Sequence, residues 1–451
     1  MQADKKQLEA QVRQAVEAQR VIDMHAHLYP PAFGTPTRNP SRPTDPDGLL
    51  LYGIEELLTY HYLVAELYRV VSTDELPYEA FWRMTKQRRA ELIWQKLFLD
   101  RPPVSEACRG VLTTLKLLGL DPAERDLAAH RDFFERRDID EHIDDVMRLS
   151  GVDRIVMTNE IFTDNERRRW EADPAVGTDP RFAAVLRVDP LLRDWPRAAG
   201  LLSGSGYPAA AEPDDASFDA VRRFLDDWLV RTDAVYVAMS LPPTWQYPAT
   251  GDASAHAAAR AGERVLERAI LPACRQHGIP LALMIGSTPH VNPALHDAGF
   301  MNGKSDTASI ARLCAAHPDN RFFITTLSRE DQHGLCVVAR KFGNLMPFGC
   351  WWFLNNPSII TEITRMRLEM LGTSFVYQHS DARVLEQVLY KWHHSRELLV
   401  GILTDHLAGI VEAGWPVDEA QVRQVVFEIL RGNVEGRIGK LAGVRAEAAR
   451  V

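Results

Sequence analysis

Val21-Ile22-Asp23-Met24-His25-Ala26-His27-Leu28 is the stretch that says most about the fold of this chain. Its apolar residues predict a short buried strand that ends in two histidines spaced two residues apart. Because residues i and i+2 of a strand face the same side, roughly 6.6–6.8 Å apart, the two imidazoles can converge on one point. Imidazole nitrogens bind divalent metals, so the pair indicates a metal site, with an incidental pair as the alternative.

The composition is that of a large globular chain. Of its 451 residues 46% are hydrophobic, and the formal net charge is −9. This acidic balance argues against a nucleic-acid or anionic-membrane partner. Five scattered cysteines form no Cys-x-x-Cys pair, which predicts free thiols in a reducing compartment. Residues 1–20 lack a signal-peptide pattern and no run reaches 18 apolar residues, so we expect a cytoplasmic protein.

Strand-like apolar runs recur along the chain with helical patterns between them. Near-continuous apolar strands that alternate with helices indicate a parallel sheet buried on both faces. Eight such units fit a (β/α)8 TIM-like barrel of the α/β class better than an open sheet. The predicted strands are 21–28, 154–158, 183–188, 234–239, 281–286, 321–326, 345–349 and 374–377.

Residues 49–150 are predicted to be a large helical insertion after the first strand. Apolar residues recur with a 3.6-residue period over 54–71, which indicates one helix there. Further helical patterns cover about 77–99, 104–118 and 122–149. With a lead-in helix at 1–20 and helices over 384–451, we expect residues 1–451 to form one barrel domain.

Active sites of such barrels lie at the carboxyl ends of the strands. His25 and His27 end the first strand, and Asp381 follows the eighth, which neighbours the first in a closed barrel. Asp381 could therefore complete a site of two histidines and one carboxylate with open positions for water. The alternative for Asp381 is a helix N-cap, because a helical pattern begins just after it.

Four ordered motifs resemble those of the uronate isomerases of the amidohydrolase superfamily. They are the opening Asp23–Leu28, the pair His61-Tyr62 in the insertion, Phe348–Phe353 with Asn355, and Ser380–Arg383. The resemblance implies one divalent metal held by His25, His27 and Asp381. Zinc is the first choice, and manganese, iron, cobalt and nickel stay open. It also implies aldose–ketose interconversion of a hexuronate such as glucuronate or galacturonate.

This reaction moves a proton between C2 and C1, so it needs a base, an electrophile and an anion clamp. The resemblance makes Tyr62 or Asp381 the candidate proton carrier, with His61 beside them. Arg383 would hold the enediolate or carboxylate. Simpler alternatives are a core position for His61 and an ion pair for Arg383. The predicted substrate-binding residues besides Arg383 are Trp351, Trp352 and Asn355, of which the tryptophans could instead be packing residues.

Two departures from the family pattern keep other functions open. Met284 stands where the family has a strand-five histidine, and Ser240–Thr244 lacks the family's Asp and His after strand four. One alternative is a metal-dependent hydrolase, lactonase or decarboxylase with Asp381 as base for a metal-bound water. Another is a non-catalytic barrel that binds a sugar acid. In each case the expected partner is a small sugar acid or other carboxylate, and the sequence leaves a homo-oligomer open.

Overall fold

The computed structural model describes residues 2–249 and 257–441. Within them the strands are β1 (Val21–Ala26), β2 (Val152–Met157), β3 (Phe182–Ala183), β4 (Leu186–Arg187), β5 (Val237–Leu241), β6 (Leu281–Ile285), β7 (Ser287–Thr288), β8 (Met301–Asn302), β9 (Phe322–Thr326) and β10 (Leu345–Pro347). Met1 and residues 442–451, which belong to the predicted terminal helices, lie outside the described residues.

Helices occupy most of the remaining described chain. The α-helices are α1 (Gln2–Ala18), α2 (Ile54–Leu58), α3 (His61–Leu67), α4 (Tyr78–Arg83), α5 (Lys86–Trp94), α6 (Glu106–Leu117), α7 (Ala128–Arg136), α8 (Ile139–Ser150), α9 (Asp164–Ala172), α10 (Asp189–Arg193), α11 (Trp195–Gly204), α12 (Asp215–Thr232), α13 (Ala257–Val265), α14 (Leu271–Gln276), α15 (Thr307–Ala316), α16 (Gln332–Ala339), α17 (Pro357–Leu371), α18 (Gln387–Glu412), α19 (Glu419–Phe427) and α20 (Asn433–Arg437). π-helical turns lie at Gln95–Leu99, Leu266–Ile270 and Glu428–Gly432, and 3₁₀ turns at Pro31–Phe33, Pro174–Gly177, Pro293–Gly299, Arg329–Asp331, Trp352–Leu354 and Gly439–Leu441.

Backbone hydrogen bonds connect eight parallel segments in a ring. One sheet has the order β1-β2-β3 and a second the order β10-β9-β6-β5-β4. Bridges from Asn159 to Leu186 and from Phe348 to Val376 join the sheets to each other and to the last segment. The Asp381 N–H donates to the His25 carbonyl at 2.9 Å, which brings that segment to β1. The predicted (β/α)8 TIM-like fold is confirmed.

Two of the predicted strands are less regular than expected. The third is divided into β3 and β4, because the Val185 N–H donates to the Asn159 side chain rather than to a neighbouring strand. The eighth is an extended segment with a single bridge at Val376. Its regularity ends there because the Tyr377 N–H donates to the Ile429 carbonyl near the chain's end.

A layer of apolar side chains from all parts of the ring fills the barrel interior. It includes Met24, Met284 and Phe323, and it also takes in Ile438 from the C-terminal region. The Arg437 carbonyl accepts from Arg321, just before β9. The C-terminal helical turns therefore close the amino end of the barrel, which leaves the carboxyl end for a binding site.

The predicted helical insertion is present as α2–α8, but three of its helices were predicted too long. The 54–71 helix is interrupted at Thr59-Tyr60, where Tyr60 is extended (φ −65°, ψ 147°). The other two breaks come where side chains of Thr85 and Asp138 accept backbone N–H groups and start new helices. Such caps are favoured because the first turn of a helix has free N–H donors.

A buried contact anchors the insertion to the barrel. His142 Nε2 lies 2.7 Å from Glu386 Oε1, and the Gly53 N–H donates to the other oxygen of the same carboxylate. Glu386 immediately precedes α18, so the contact aligns both ends of the insertion with the segment that follows the eighth strand. Among the helices of the described residues, none combines the length and apolarity needed to cross a bilayer.

Candidate metal centre

The end of β1 and the loop after the eighth segment bring three metal-ligand side chains together. His25 Nε2 lies 3.2 Å and His27 Nε2 lies 3.3 Å from Asp381 Oδ1. One ligand atom from each residue falls within 4.8 Å of the other two. The convergence that the sequence predicted from barrel closure is therefore found in the structure.

Asp381 has an unusual backbone for a ligand. Its φ is +49°, in the left-handed region that residues with a side chain rarely adopt, although aspartate tolerates it better than most. The next helix, α18, begins only at Gln387 and has Glu386 at its N-cap. The N-cap alternative for Asp381 is thus wrong.

The charge states of the cluster suit a divalent cation. Burial raises the pKa of Asp381, but hydrogen bonds from His25 and His27 outweigh it and hold that pKa well below its usual range. Burial, reinforced by the charge of Arg383, lowers the pKa of His27 to about 3. An ionised carboxylate and a neutral imidazole are the forms that bind metals. Two nitrogens and one oxygen also leave coordination positions open for other ligands.

The cluster lies in a small cleft of about 120 Å³ at the carboxyl end of the barrel. The residues that line it, besides the three above, are Tyr60, His61, Arg187, Arg193, Ser240, Leu241, Ser287, Pro289, Asp297, Phe300, Trp351, Trp352 and Arg383.

The break between α2 and α3 places two aromatic side chains on the cleft. His61 is the first residue of α3, so the predicted single helix over 54–71 is wrong at this point. Its Nε2 atom is buried without a hydrogen-bond partner among the described residues, and burial lowers its pKa to about 3. Tyr60, which was not predicted from the sequence, also lines the cleft. The Tyr62 hydroxyl is buried nearby without a partner among the described residues.

Three guanidinium groups line the cleft, and each has a carboxylate within 4.0 Å. Arg187 is fixed by Glu160 at 2.7 Å and Asp189 at 2.8 Å, and it donates to Ser240. Arg383 Nη1 lies 3.5 Å from Asp297 Oδ2. Because both side chains are exposed, at 44% and 65%, this ion pair is weak. Arg187 and Arg193 were not among the site residues predicted from the sequence. The signal was available for Arg187, which ends the third strand at the end of the barrel where sites form.

The predicted substrate-binding residues divide into two groups. Trp351 and Trp352 line the cleft, and the Trp352 ring lies 5.2 Å from the His61 ring. The Asn355 Oδ1 instead accepts from Gln378 at 3.4 Å, whereas its Nδ2 has no partner among the described residues. Gln378 also accepts from the Cys350 N–H. Asn355 thus contacts the residues that support the cleft wall.

Two further polar side chains are buried behind the cluster. One is His379, which is fully buried and whose ring lies 5.1 Å from the ring of His25. Lys391, which was missed, donates from Nζ to the Ser380 carbonyl. Helical periodicity predicts that Lys391 lies on a helix, but it does not predict whether the amine points to solvent or into the protein.

Met284 and Ser240, where the sequence departs from the uronate isomerase pattern, both lie at ordered positions of the barrel. Met284 lies in β6 between Ser240 and Thr325 of the neighbouring strands, and it packs in the apolar barrel interior. Ser240 lines the cleft and accepts a hydrogen bond from Arg187. Ser240 therefore binds the Arg187 guanidinium at the place, after the fourth predicted strand, where the uronate isomerase pattern has an aspartate and a histidine.

The chain is similar to several solved structures. A uronate isomerase from Bacillus halodurans is 46% identical, with a TM-score of 0.88 over 96% of this chain and 97% of that one. A glucuronate isomerase from Caulobacter crescentus (16% identity, TM-score 0.72, 99% and 96% covered) and a uronate isomerase from Thermotoga maritima (13%, 0.70, 96% and 97%) share the fold. No family model matches the chain, and no curated protein is significantly similar to it.

Proposed function

The chain belongs to the uronate isomerase family, and we propose from this premise that it interconverts the aldose and ketose forms of a hexuronate such as glucuronate or galacturonate. It is a sugar-acid isomerase. The observation that carries the proposal is the convergence of His25, His27 and Asp381 in a cleft that also presents arginine side chains. Such a site offers a metal for the hydroxyl and carbonyl end of the sugar and cations for its carboxylate.

We assign the metal to His25, His27 and Asp381. The fit rests on their common meeting point and on the mixed nitrogen and oxygen donor set, which suits zinc first and manganese, iron, cobalt or nickel next. When bound, the ion supplies positive charge that stabilises negative charge on the substrate oxygens. The remaining chemistry falls to the side chains of the cleft.

Arg187, Arg193 and Arg383 are proposed to hold the sugar-acid carboxylate or the enediolate. A guanidinium binds a carboxylate through two parallel N–H donors, which fixes orientation as well as charge. Arg187 is the most rigid of the three, because Asp189, Glu160 and Ser240 accept from four of its five N–H groups. One N–H of Arg187 is therefore left for a substrate oxygen, and two-donor binding falls to Arg193 and Arg383. The exposed Arg383 is free to turn from Asp297 toward the substrate.

Proton transfer between C2 and C1 is proposed to involve Asp381 or Tyr62, with His61 beside them. Asp381 is ionised and has oxygen lone pairs for a proton, although its low pKa makes it a weak base. Burial and nearby Tyr60 raise the pKa of Tyr62, so this hydroxyl stays protonated and donates. Nε2 of His61 and Nε1 of Trp352 have no hydrogen-bond partner among the described residues, so both are available to hydroxyl groups of the sugar.

The wider setting also stays a proposal. We propose a cytoplasmic enzyme, supported by five free and buried cysteines. We further propose that it acts as one domain on a small sugar acid, without a nucleic-acid or membrane partner. One apolar cluster that extends from Leu8 to Leu430 supports the single domain.

The test is a direct assay of the protein loaded with zinc or manganese. Glucuronate and galacturonate are incubated separately, and the ketose products are followed by proton NMR. We expect turnover of at least one hexuronate, and loss of both metal and turnover in His25→Ala. His333→Ala, at an exposed position on α16, is the matched control. Absence of turnover with every hexuronate, or turnover of lactones or aromatic acids instead, would reject the proposal.

A further inference from the structure

The peptide unit that precedes Asp381 is held on both sides. Its N–H donates to the His25 carbonyl at 2.9 Å, and its carbonyl, which belongs to Ser380, accepts from Lys391 Nζ at 2.5 Å. One residue earlier, the Ser380 N–H donates to Asp23 Oδ1 at 2.9 Å. The chain is therefore fixed at consecutive hydrogen-bonding groups just before the candidate ligand.

This fixation matters because of the left-handed backbone of Asp381. A residue with a side chain keeps a positive φ only where its surroundings hold it there. The orientation of the preceding peptide plane determines where the Cα–Cβ bond of Asp381 points. If that plane turned, the carboxylate would no longer meet both imidazoles.

Lys391 is an unusual group to find in this position. It is 3% exposed on α18, and no carboxylate of the described residues lies within 4.0 Å of its Nζ. Burial lowers its pKa to about 8, against the opposing charges of Asp381 and Asp23. The Tyr62 ring lies 5.6 Å from the same Nζ. Burying an ammonium group is unfavourable, so a methionine or leucine would pack more easily in this position.

We propose that Lys391 is a positioning residue, which fixes the Ser380 carbonyl and thereby aims the Asp381 carboxylate at the metal. The ammonium group does not line the cleft, so it acts through Asp381 and not on the substrate. The inference rests on the proposed metal centre but does not depend on which hexuronate is the substrate. Outer contacts of this kind orient metal ligands, and their loss typically weakens metal binding by about 10–100-fold.

The test compares Lys391→Met, which keeps the apolar stem without a donor, and Lys391→Gln, which keeps an N–H donor. Thr404→Val is the matched control, because Thr404 is buried on the same helix and donates only within it, to the Val400 carbonyl. Affinity for Zn²⁺ is measured by competition with a chromophoric chelator. The visible spectrum of the Co²⁺-loaded protein reports ligand geometry, and circular dichroism confirms folding.

We expect Lys391→Met to bind Zn²⁺ about 10–100-fold more weakly than wild type and to shift the Co²⁺ bands. Lys391→Gln should lose less, and Thr404→Val should match wild type. With saturating metal, kcat of Lys391→Met should fall while KM stays within about twofold, a split that loss of packing alone would not produce.

Wild-type affinity and an unchanged Co²⁺ spectrum in Lys391→Met would overturn this inference and leave the metal centre intact. Failure of the wild-type protein to bind Zn²⁺ would instead overturn the centre and the inference together. Should neither Lys391 variant fold, a crystal structure of the metal-loaded wild type decides the matter. A separation above 3.5 Å between Lys391 Nζ and the Ser380 oxygen would then refute the positioning role.

Discussion

Replacement of Asp23 by asparagine should loosen the contact between the first and last segments of the barrel. Asp23 is buried, and its two carboxylate oxygens accept from the Ser380 N–H and from Trp392 Nε1, both at 2.9 Å. Asparagine has the same shape but only one acceptor. Its NH₂ group must therefore face one of the two N–H donors.

The expected loss follows from those two contacts. A hydrogen bond to a charged group contributes about 1.5–3 kcal/mol, and stranding a buried donor costs about 1–3 kcal/mol. Since these contributions overlap, we expect Asp23→Asn to lower the free energy of unfolding by about 2–4 kcal/mol. At ~2.1 cal/mol/K per residue over 451 residues, this lowers Tm by roughly 2–4 °C.

The assay is calorimetry of the metal-free protein at pH 8, in a double-mutant cycle with Trp392→Phe. Because that change removes one of the two donors, Asp23→Asn should cost about 1–2 kcal/mol less in its background. Trp195→Phe is the control, since the Trp195 indole donates to the Ala210 carbonyl. Equal losses for Asp23→Asn with and without Trp392 would refute the reasoning.

Three further outcomes are expected. Asp381→Asn should reduce the metal content measured by elemental analysis and lower turnover by roughly 10²–10⁴-fold. Asp297→Asn is the control, because it removes a carboxylate that is 65% exposed on the cleft wall, and it should retain the metal. His61 has a folded pKa of about 3, below its unfolded value, so its contribution to stability is present above about pH 6.5 and is lost as pH falls toward 3. Urea unfolding of metal-free His61→Gln should thus show a shallower acid decline, by up to roughly 1.4 kcal/mol per pH unit, and an unchanged slope would contradict the buried neutral imidazole. Met284→His should lower the free energy of unfolding, followed by thermal melts, by about 1–3 kcal/mol, because it places an unpaired polar group in the apolar barrel interior. A stable variant with added metal affinity would contradict that position of Met284.

The barrel and its three candidate metal ligands were predictable, because alternating strands and helices predict a closed barrel and closure places the last strand beside the first. Apolar runs alternate with helices, and a closed ring necessarily puts its last strand beside its first. His25, His27 and Asp381 could therefore be placed together without knowledge of any side-chain contact. The structure bears out that placement, and the residue roles built on it stay predictions.

Local details were less accessible because they depend on competing contacts. The periodic pattern over 54–71 continues smoothly through Tyr60, yet the chain turns there, and two aromatic residues reach the cleft as a result. Whether a lysine on a long helix turns toward water or toward a backbone carbonyl depends on packing from distant segments. Lys391 was missed for this reason, whereas Arg187 could have been found from its place at a strand end.

The contact between Asp23 and Ser380 spans 357 positions of the chain. During synthesis the opening imidazoles leave the ribosome long before their carboxylate partner exists. A prematurely ended product that stops before Ser380 therefore has no means of building the three-ligand cluster. If this cluster holds the proposed metal, the ion can be bound by all three ligands only after synthesis has reached Asp381.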